Sequence, residues 1–274
     1  MNNEIDLKPF LRWAGGKQNF INDLIKHIPQ INENSAYFEP FLGAGSLFFA
    51  CNFKNVMLSD INNHLVNTYK CIKLNPYLIH HKLQYLKSRL TQDYYYNIRS
   101  KFNKNINNYS YQQAARFIFL VHTSFNGIYR VNTKGLYNVP FGKIKPSLPS
   151  LEQLYKISNK LKNAKIINGS YQLISNLVKA EDFIYLDPPY PAINNSSSFQ
   201  HYTIGRFSNE EQTKLATFAN ELSNKGCNVM ITNANTKLIR DLYVGWTIKK
   251  MKQTRFITCK KIRHRVTELI ITNY

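Results

Sequence analysis

Cysteine is scarce in this chain: four among 274 residues, with Cys51, Cys71, Cys227 and Cys259 far apart and no Cys-x-x-Cys pair. That spacing argues against a zinc cluster or a disulfide framework, and for a reduced, cytoplasmic chain. The seven histidines show no His-Glu-x-x-His spacing, so no metal site is expected. No run of 18 apolar residues occurs, and Met1 to Leu7 lack the apolar core of a signal peptide. A transmembrane helix is therefore excluded on length, and no membrane partner is expected. Nucleotide-phosphate motifs are incomplete too. Gly15-Gly16-Lys17 suits an anion at a helix start, but Gln18 follows the lysine where a P-loop needs Ser or Thr. Phe48 stands where the dinucleotide fingerprint needs its third glycine.

Acidic residues are also few, 16 against 36 Lys and Arg for a net charge of +20, and their scarcity is local. Residues 1–62 carry −1 and 151–245 carry +2, whereas 63–150 carry +12 and 246–274 carry +7. A merely soluble surface would scatter its lysines. The segregation is read as two faces of a cleft that binds a polyanion.

The stretch around which the chain is organised is Ile184-Tyr185-Leu186-Asp187-Pro188-Pro189-Tyr190. Phe183 to Leu186 read as a buried central strand. Two prolines end it at once, because neither donates to a ladder. Asp187, the carbonyls beside Pro188 and the Tyr190 ring are thereby presented at the carboxyl edge of a sheet, where open α/β folds bind ligands. The exocyclic amine of adenine or cytosine is a poor nucleophile, since its lone pair is delocalised into the ring. A carboxylate and a carbonyl held rigidly can accept its two N–H hydrogens and expose that lone pair. Tyr190 can stack on a base taken out of a duplex. A plain proline turn at a strand end would leave the same local pattern.

Tyr37 to Ser46 read as strand, glycine-rich turn and helix start, with an apolar helix over Leu47 to Phe53. A short strand over Val56 to Leu58 follows and ends near Asp60, an acid placed to accept from ribose hydroxyls. A glycine turn and a strand-two acid without the third glycine suit a nucleoside lacking pyrophosphate, such as S-adenosylmethionine.

Residues 63–150 break this rhythm, with helical patterns from about 64 to 90, 93 to 104 and 112 to 121. Ser124 to Lys143 read as a β-hairpin or ordered loop. Asn126 and Arg130 are suited there to reading adenine and guanine edges, and Phe125 or Tyr129 to wedging or stacking. An ordinary surface hairpin would look similar. From 151 the α/β alternation returns: a helix over 151–161, a strand over 165–168, a helix within 169–179, then the Asp187 strand. Residues 192–205 form a polar stretch suited to a mobile lid. Ser208 and Glu211 form a capping box, a strand spans 227–232 and a short helix 236–243. A strand pair with a basic loop (Arg255, Lys260, Lys261, Arg263, Arg265) closes the sheet edge.

Phe10–Lys17, Phe38–Gly45, Asp60, Phe125–Gly142 and Asp187–Tyr190, in that order, resemble the Dam-type DNA adenine methyltransferases from about residue 10 to the C-terminus. The resemblance implies methyl transfer from S-adenosylmethionine to the exocyclic amine of a flipped adenine in double-stranded DNA. A cognate restriction endonuclease is a partner it admits. By position, Trp13, Lys17, Asp60 and Asp187 would contact the cofactor and Gly43 would line its pocket. Asp187, Pro188 and Tyr190 would hold the adenine. Phe125, Asn126, Arg130, Lys134 and Lys143 would meet DNA. Ile144 replaces an aromatic residue and Leu136 an acid of GATC-specific members, so the recognition site does not follow. The expected fold is α/β: a doubly wound, mainly parallel sheet of the Rossmann-like methyltransferase kind. Its catalytic core spans 1–62 and 151–274, interrupted over 63–150 by a largely helical DNA-recognition domain. A cytosine amine enzyme (usually with Ser in place of Asp187), an RNA adenine enzyme and a non-catalytic DNA-binding protein remain alternatives.

Overall fold

The computed structural model describes residues 7–142, 147–191, 207–255 and 264–274. Lys143, Ile144, the 192–205 stretch and Lys260, Lys261 and Arg263 lie outside the described residues.

Seven strands form one sheet: β1 (Ala36–Glu39), β2 (Asn55–Asp60), β3 (Lys165–Asn168), β4 (Phe183–Leu186), β5 (Asn228–Ala234), β6 (Thr247–Arg255) and β7 (His264–Thr272). Their order is β3-β2-β1-β4-β5-β7-β6. The first five run parallel, and β7 lies antiparallel between β5 and β6. The expected terminal strand pair is thus present and closes one edge. Direction of travel reverses between β1 and β4, which pair through Tyr37 with Phe183 and Phe38 with Ile184. That junction is the topological switch point, the place at which open α/β sheets bind ligands.

Side chains of the central strands alternate between two cores, as the strand period dictates. Tyr37, Phe183 and Tyr185 enter one cluster; Phe38, Ile184 and Leu186 enter the other. The second is covered by α8 (Asn209–Asn224) and α9 (Lys237–Leu242), through Leu215, Leu222 and Ile239. The first is covered by α2 (Ser46–Ala50), α3 (Asn63–Leu74) and α7 (Leu151–Leu161). The same cluster continues into α4 (Pro76–Lys87), α5 (Gln92–Lys104) and α6 (Tyr111–Thr123), through Leu83, Phe102 and Phe117. Residues 63–123 therefore share their apolar interior with the sheet, and α3 packs directly on β2 and β3.

Two local expectations change, and an alternative left open is decided. The pattern from 64 to 90 is two helices, because Asn75 precedes a proline and takes φ −150°, ψ 81°. Its side chain caps α4 by accepting from Leu78 N at 2.9 Å, and Pro76 starts that helix where no N–H is needed. Over 169–179 the structure has only a 3₁₀ turn at Tyr171–Ile174, too short a run to offset helix nucleation. The 124–142 segment is an ordered loop with two isolated bridges, Ser124 with Phe141 and Val131 with Tyr137. Side chains of α5 hold it instead: Tyr95 and Arg99 donate to Val139 O at 2.9 and 3.0 Å, and Asn103 Nδ2 donates to Tyr137 O at 3.0 Å.

Candidate active site

On one side of the switch point is the turn after β1. Gly43 and Gly45 take φ +46° and +66°, a left-handed backbone that glycine adopts without strain. Asp60, at the end of β2, accepts from Gly43 N at 3.0 Å and from Asn62 N at 2.9 Å. Burial pushes its carboxyl above the usual range, and those backbone donors oppose the rise. The Trp13 indole lies against Gly43, so closely that a Cβ there would stand 2.9 Å from Trp13 Cδ1. Beneath the turn Glu39 is fully buried. Burial pushes its carboxyl up to about 8, against a hydrogen bond donated by the Tyr37 hydroxyl at 2.8 Å.

On the other side is the turn after β4. Asp187 Oδ1 accepts from Thr232 Oγ1 at 2.6 Å and pairs with Lys17 Nζ at 2.8 Å. Lys17 reaches it from the glycine loop, with its side chain 3% exposed and its ammonium also donating to Gly15 O at 2.5 Å. The same ammonium lies 4.7 Å from the centre of the Tyr190 ring. Two further polar groups brace the turn from behind. The Tyr190 hydroxyl donates to Glu268 Oε2 at 2.8 Å, and Gln212 Nε2 donates to Pro189 O at 2.9 Å. Gln212 is held in turn by Asn233 Nδ2 at 2.9 Å. Pro188 is buried, whereas the Asp187 side chain keeps 18% of its surface open.

Trp13, Lys17, Gly43, Asp60, Asp187 and Tyr190 thus gather on the two sides of one switch point. The loop residues lie further out. Phe125 is 47% exposed, and Asn126 is exposed with a left-handed φ of 58°. Lys134 is exposed. Arg130 is half-buried, its Nε donating to Asn138 Oδ1 at 2.7 Å and its Nη2 to Asn138 O at 3.2 Å. Of the two aromatic wedge candidates Phe125 is at the surface. Tyr129 instead stacks on Trp13, at 5.6 Å between ring centres and 14° between planes.

The sequence itself has counterparts among known proteins. Residues 13–257 match the D12 class N6 adenine-specific DNA methyltransferase family. The chain belongs to that family. It is similar to the type II methyltransferase M.MjaIII of Methanocaldococcus jannaschii, with 37% identity covering 98% of this chain and all of the relative. Type II methyltransferase M1.LlaDCHI of Lactococcus lactis is 34% identical over 99% of this chain and 97% of its own. The DNA adenine methylase of Escherichia coli K12 is 32% identical over 96% and 94%. As a member of the D12 class, the chain is a site-specific, adenine-specific DNA methyltransferase, and the cytosine, RNA and non-catalytic alternatives fall away.

In this methyltransferase several site residues had no signature in the sequence. Thr232, Gln212, Asn233 and Glu268 sit on β5, α8 and β7, and only strand order carries them to the Asp187 turn. A polar residue inside an otherwise apolar strand, as in Val266-Thr267-Glu268-Leu269-Ile270, was the one available signal. Among the described residues no three His, Cys, Asp or Glu side chains group as a metal site, and no helix is long and apolar enough to cross a membrane.

Proposed function

We propose that this methyltransferase uses S-adenosylmethionine to methylate the exocyclic amine of an adenine turned out of double-stranded DNA. The observation that carries the reading is the Lys17–Asp187–Tyr190 cluster, set across the switch point from the Asp60 turn. The residues fit a nucleoside cofactor. Asp60 is fixed by two backbone donors with lone pairs left for ribose hydroxyls, and Gly43 leaves a side-chain-free surface beside the Trp13 ring. Trp13, Lys17, Gly43, Asp60 and Asp187 would hold that cofactor. When bound, it supplies a methyl group already activated on a sulfonium sulfur, so no strong base is required of the protein.

What the chain supplies is alignment and acceptors. The Asp187 carboxylate takes one amine N–H and the carbonyl beside Pro188 takes the other, both held by prolines that need not reorganise. Tyr190 covers the base with its ring face, which offsets part of the cost of unstacking. Lys17 has to share or yield Asp187 Oδ1 as the amine arrives, since its ammonium stands there without substrate. Residues 63–150, with their +12 charge, act as the DNA-recognition domain. Phe125 enters the stack, Asn126 and Arg130 read base edges, and Lys134 and Lys143 meet the backbone. The enzyme works in the cytoplasm, with a cognate restriction endonuclease as a candidate partner. Asp187→Ala should abolish methyl transfer from labelled S-adenosylmethionine while duplex binding persists. Full activity in that variant refutes the assignment.

A further inference from the structure

Trp13 is enclosed between the two halves of the machinery. On one side it touches Gly43, on the turn that faces Asp60. On the other it stacks on Tyr129, which belongs to the loop assigned to DNA. Phe117 of α6, itself buried, lies under both rings, 6.2 Å from Trp13 and 5.3 Å from Tyr129. The Tyr129 hydroxyl faces the Asn62 side chain, two residues beyond Asp60. Two more contacts tie the same segments. Gly127 packs so tightly on Arg12 that a Cβ would stand 2.8 Å from its Cδ, and His122 Nε2 shares a 2.7 Å hydrogen bond with Phe10 O.

We infer that the Trp13–Tyr129 stack couples cofactor binding to DNA binding, with Tyr129 as the positioning residue that joins the two sites. The inference rests on Trp13 and Asp60 forming the cofactor pocket. A ligand that fills the space beside Gly43 fixes the Trp13 ring on its open side. Trp13 then fixes Tyr129, and with it the backbone between Asn126 and Arg130. Away from that open side the ring packs on Tyr129 and Phe117, so a shift of Trp13 toward them displaces one or the other. Ordering that one ligand has already achieved need not be repeated for the second, which gives positive cooperativity. Linkage then demands that DNA tighten cofactor binding by the same factor.

The test measures binding, not turnover. Labelled S-adenosylhomocysteine is titrated by equilibrium dialysis into the full chain, alone and with saturating duplex bearing the sequence the enzyme methylates. The ratio of the two affinities in the wild-type protein is expected within the usual range of about 5–150-fold. Tyr129→Phe, which keeps the stacked ring, should retain that ratio. Tyr129→Ala should bring it to about 1, with both ligands still binding singly. If Tyr129→Ala does not fold, Tyr129→Leu, which keeps apolar volume without the stack, takes its place with the same expectation. An unchanged ratio in the stack-deficient variant, or no ratio in the wild type, overturns the inference. Absence of any S-adenosylhomocysteine binding to the wild type would instead overturn the cofactor pocket itself.

Discussion

The Tyr190 hydroxyl and the Glu268 carboxylate, brought together from the turn after β4 and the middle of β7, share a 2.8 Å hydrogen bond, and Glu268 is fully buried. The ring proposed to lie against a base is therefore anchored at its far end by a carboxyl oxygen with no access to water. Removing the hydroxyl takes away the donor that Oε2 accepts from. Tyr190→Phe should lower unfolding free energy by about 1–3 kcal/mol, read from urea denaturation. Combined with Glu268→Gln, the two losses should be non-additive by at least about 0.5 kcal/mol, as residues in direct contact are.

Arg130 already has its guanidinium oriented, by two bonds to Asn138. A pre-oriented fork is what bidentate reading of guanine requires. Arg130→Ala should cost about 1–3 kcal/mol of DNA binding and relax preference at one base pair, seen by competition among duplexes that differ singly. A loss uniform across sequences would make Arg130 a phosphate contact.

Glu39 sets a pH dependence of stability. Burial pushes its folded carboxyl up to about 8, against an ordinary value of 4.5. Between those values the folded state binds more protons than the unfolded chain, so this group makes stability fall as pH rises through the window. The slope is at most about 1.4 kcal/mol per pH unit for one proton. His64 acts in the opposite sense lower down. Burial depresses it to about 4, so its contribution is lost as pH falls from about 6.5. Chemical denaturation from pH 6.5 to 8 should show the Glu39 decline, and Glu39→Gln should flatten it.

Gly45 begins α2 with φ +66°, and a Cβ there would meet Phe49 and Tyr69 at 3.2 Å and Leu42 at 3.3 Å. Gly45→Ala should destabilise the fold by about 1–2 kcal/mol for the left-handed backbone alone. The crowding disturbs the Tyr69 hydroxyl, which donates to Gly43 O, so cofactor affinity should drop as well. Thermal melts and ligand titration check the two effects separately.

What could be read before folding was whatever lies contiguous in the chain. Phe183 to Tyr190 declared a buried strand running into a rigid turn, and Gly43, Gly45 and Asp60 declared the opposite wall, because each depends on its immediate neighbours. The break at Asn75–Pro76 was equally local and should have divided the 64–90 pattern. Thr232, Gln212 and Glu268 were out of reach for a different reason. Their positions depend on which strands become neighbours, and β7 folds back between β5 and β6. Tyr129 was visible as an aromatic in a glycine-bearing loop. Its turn inward toward Trp13 is a packing outcome that no periodicity encodes.

Because β1 and β4 are nearest neighbours, the candidate site asks only that the two strands lie side by side. Nothing in its geometry specifies which of them is synthesised first. A rearranged gene that began with the Asp187 arm and finished with the Gly43 arm would rebuild the same pocket, given a connection able to span the new ends.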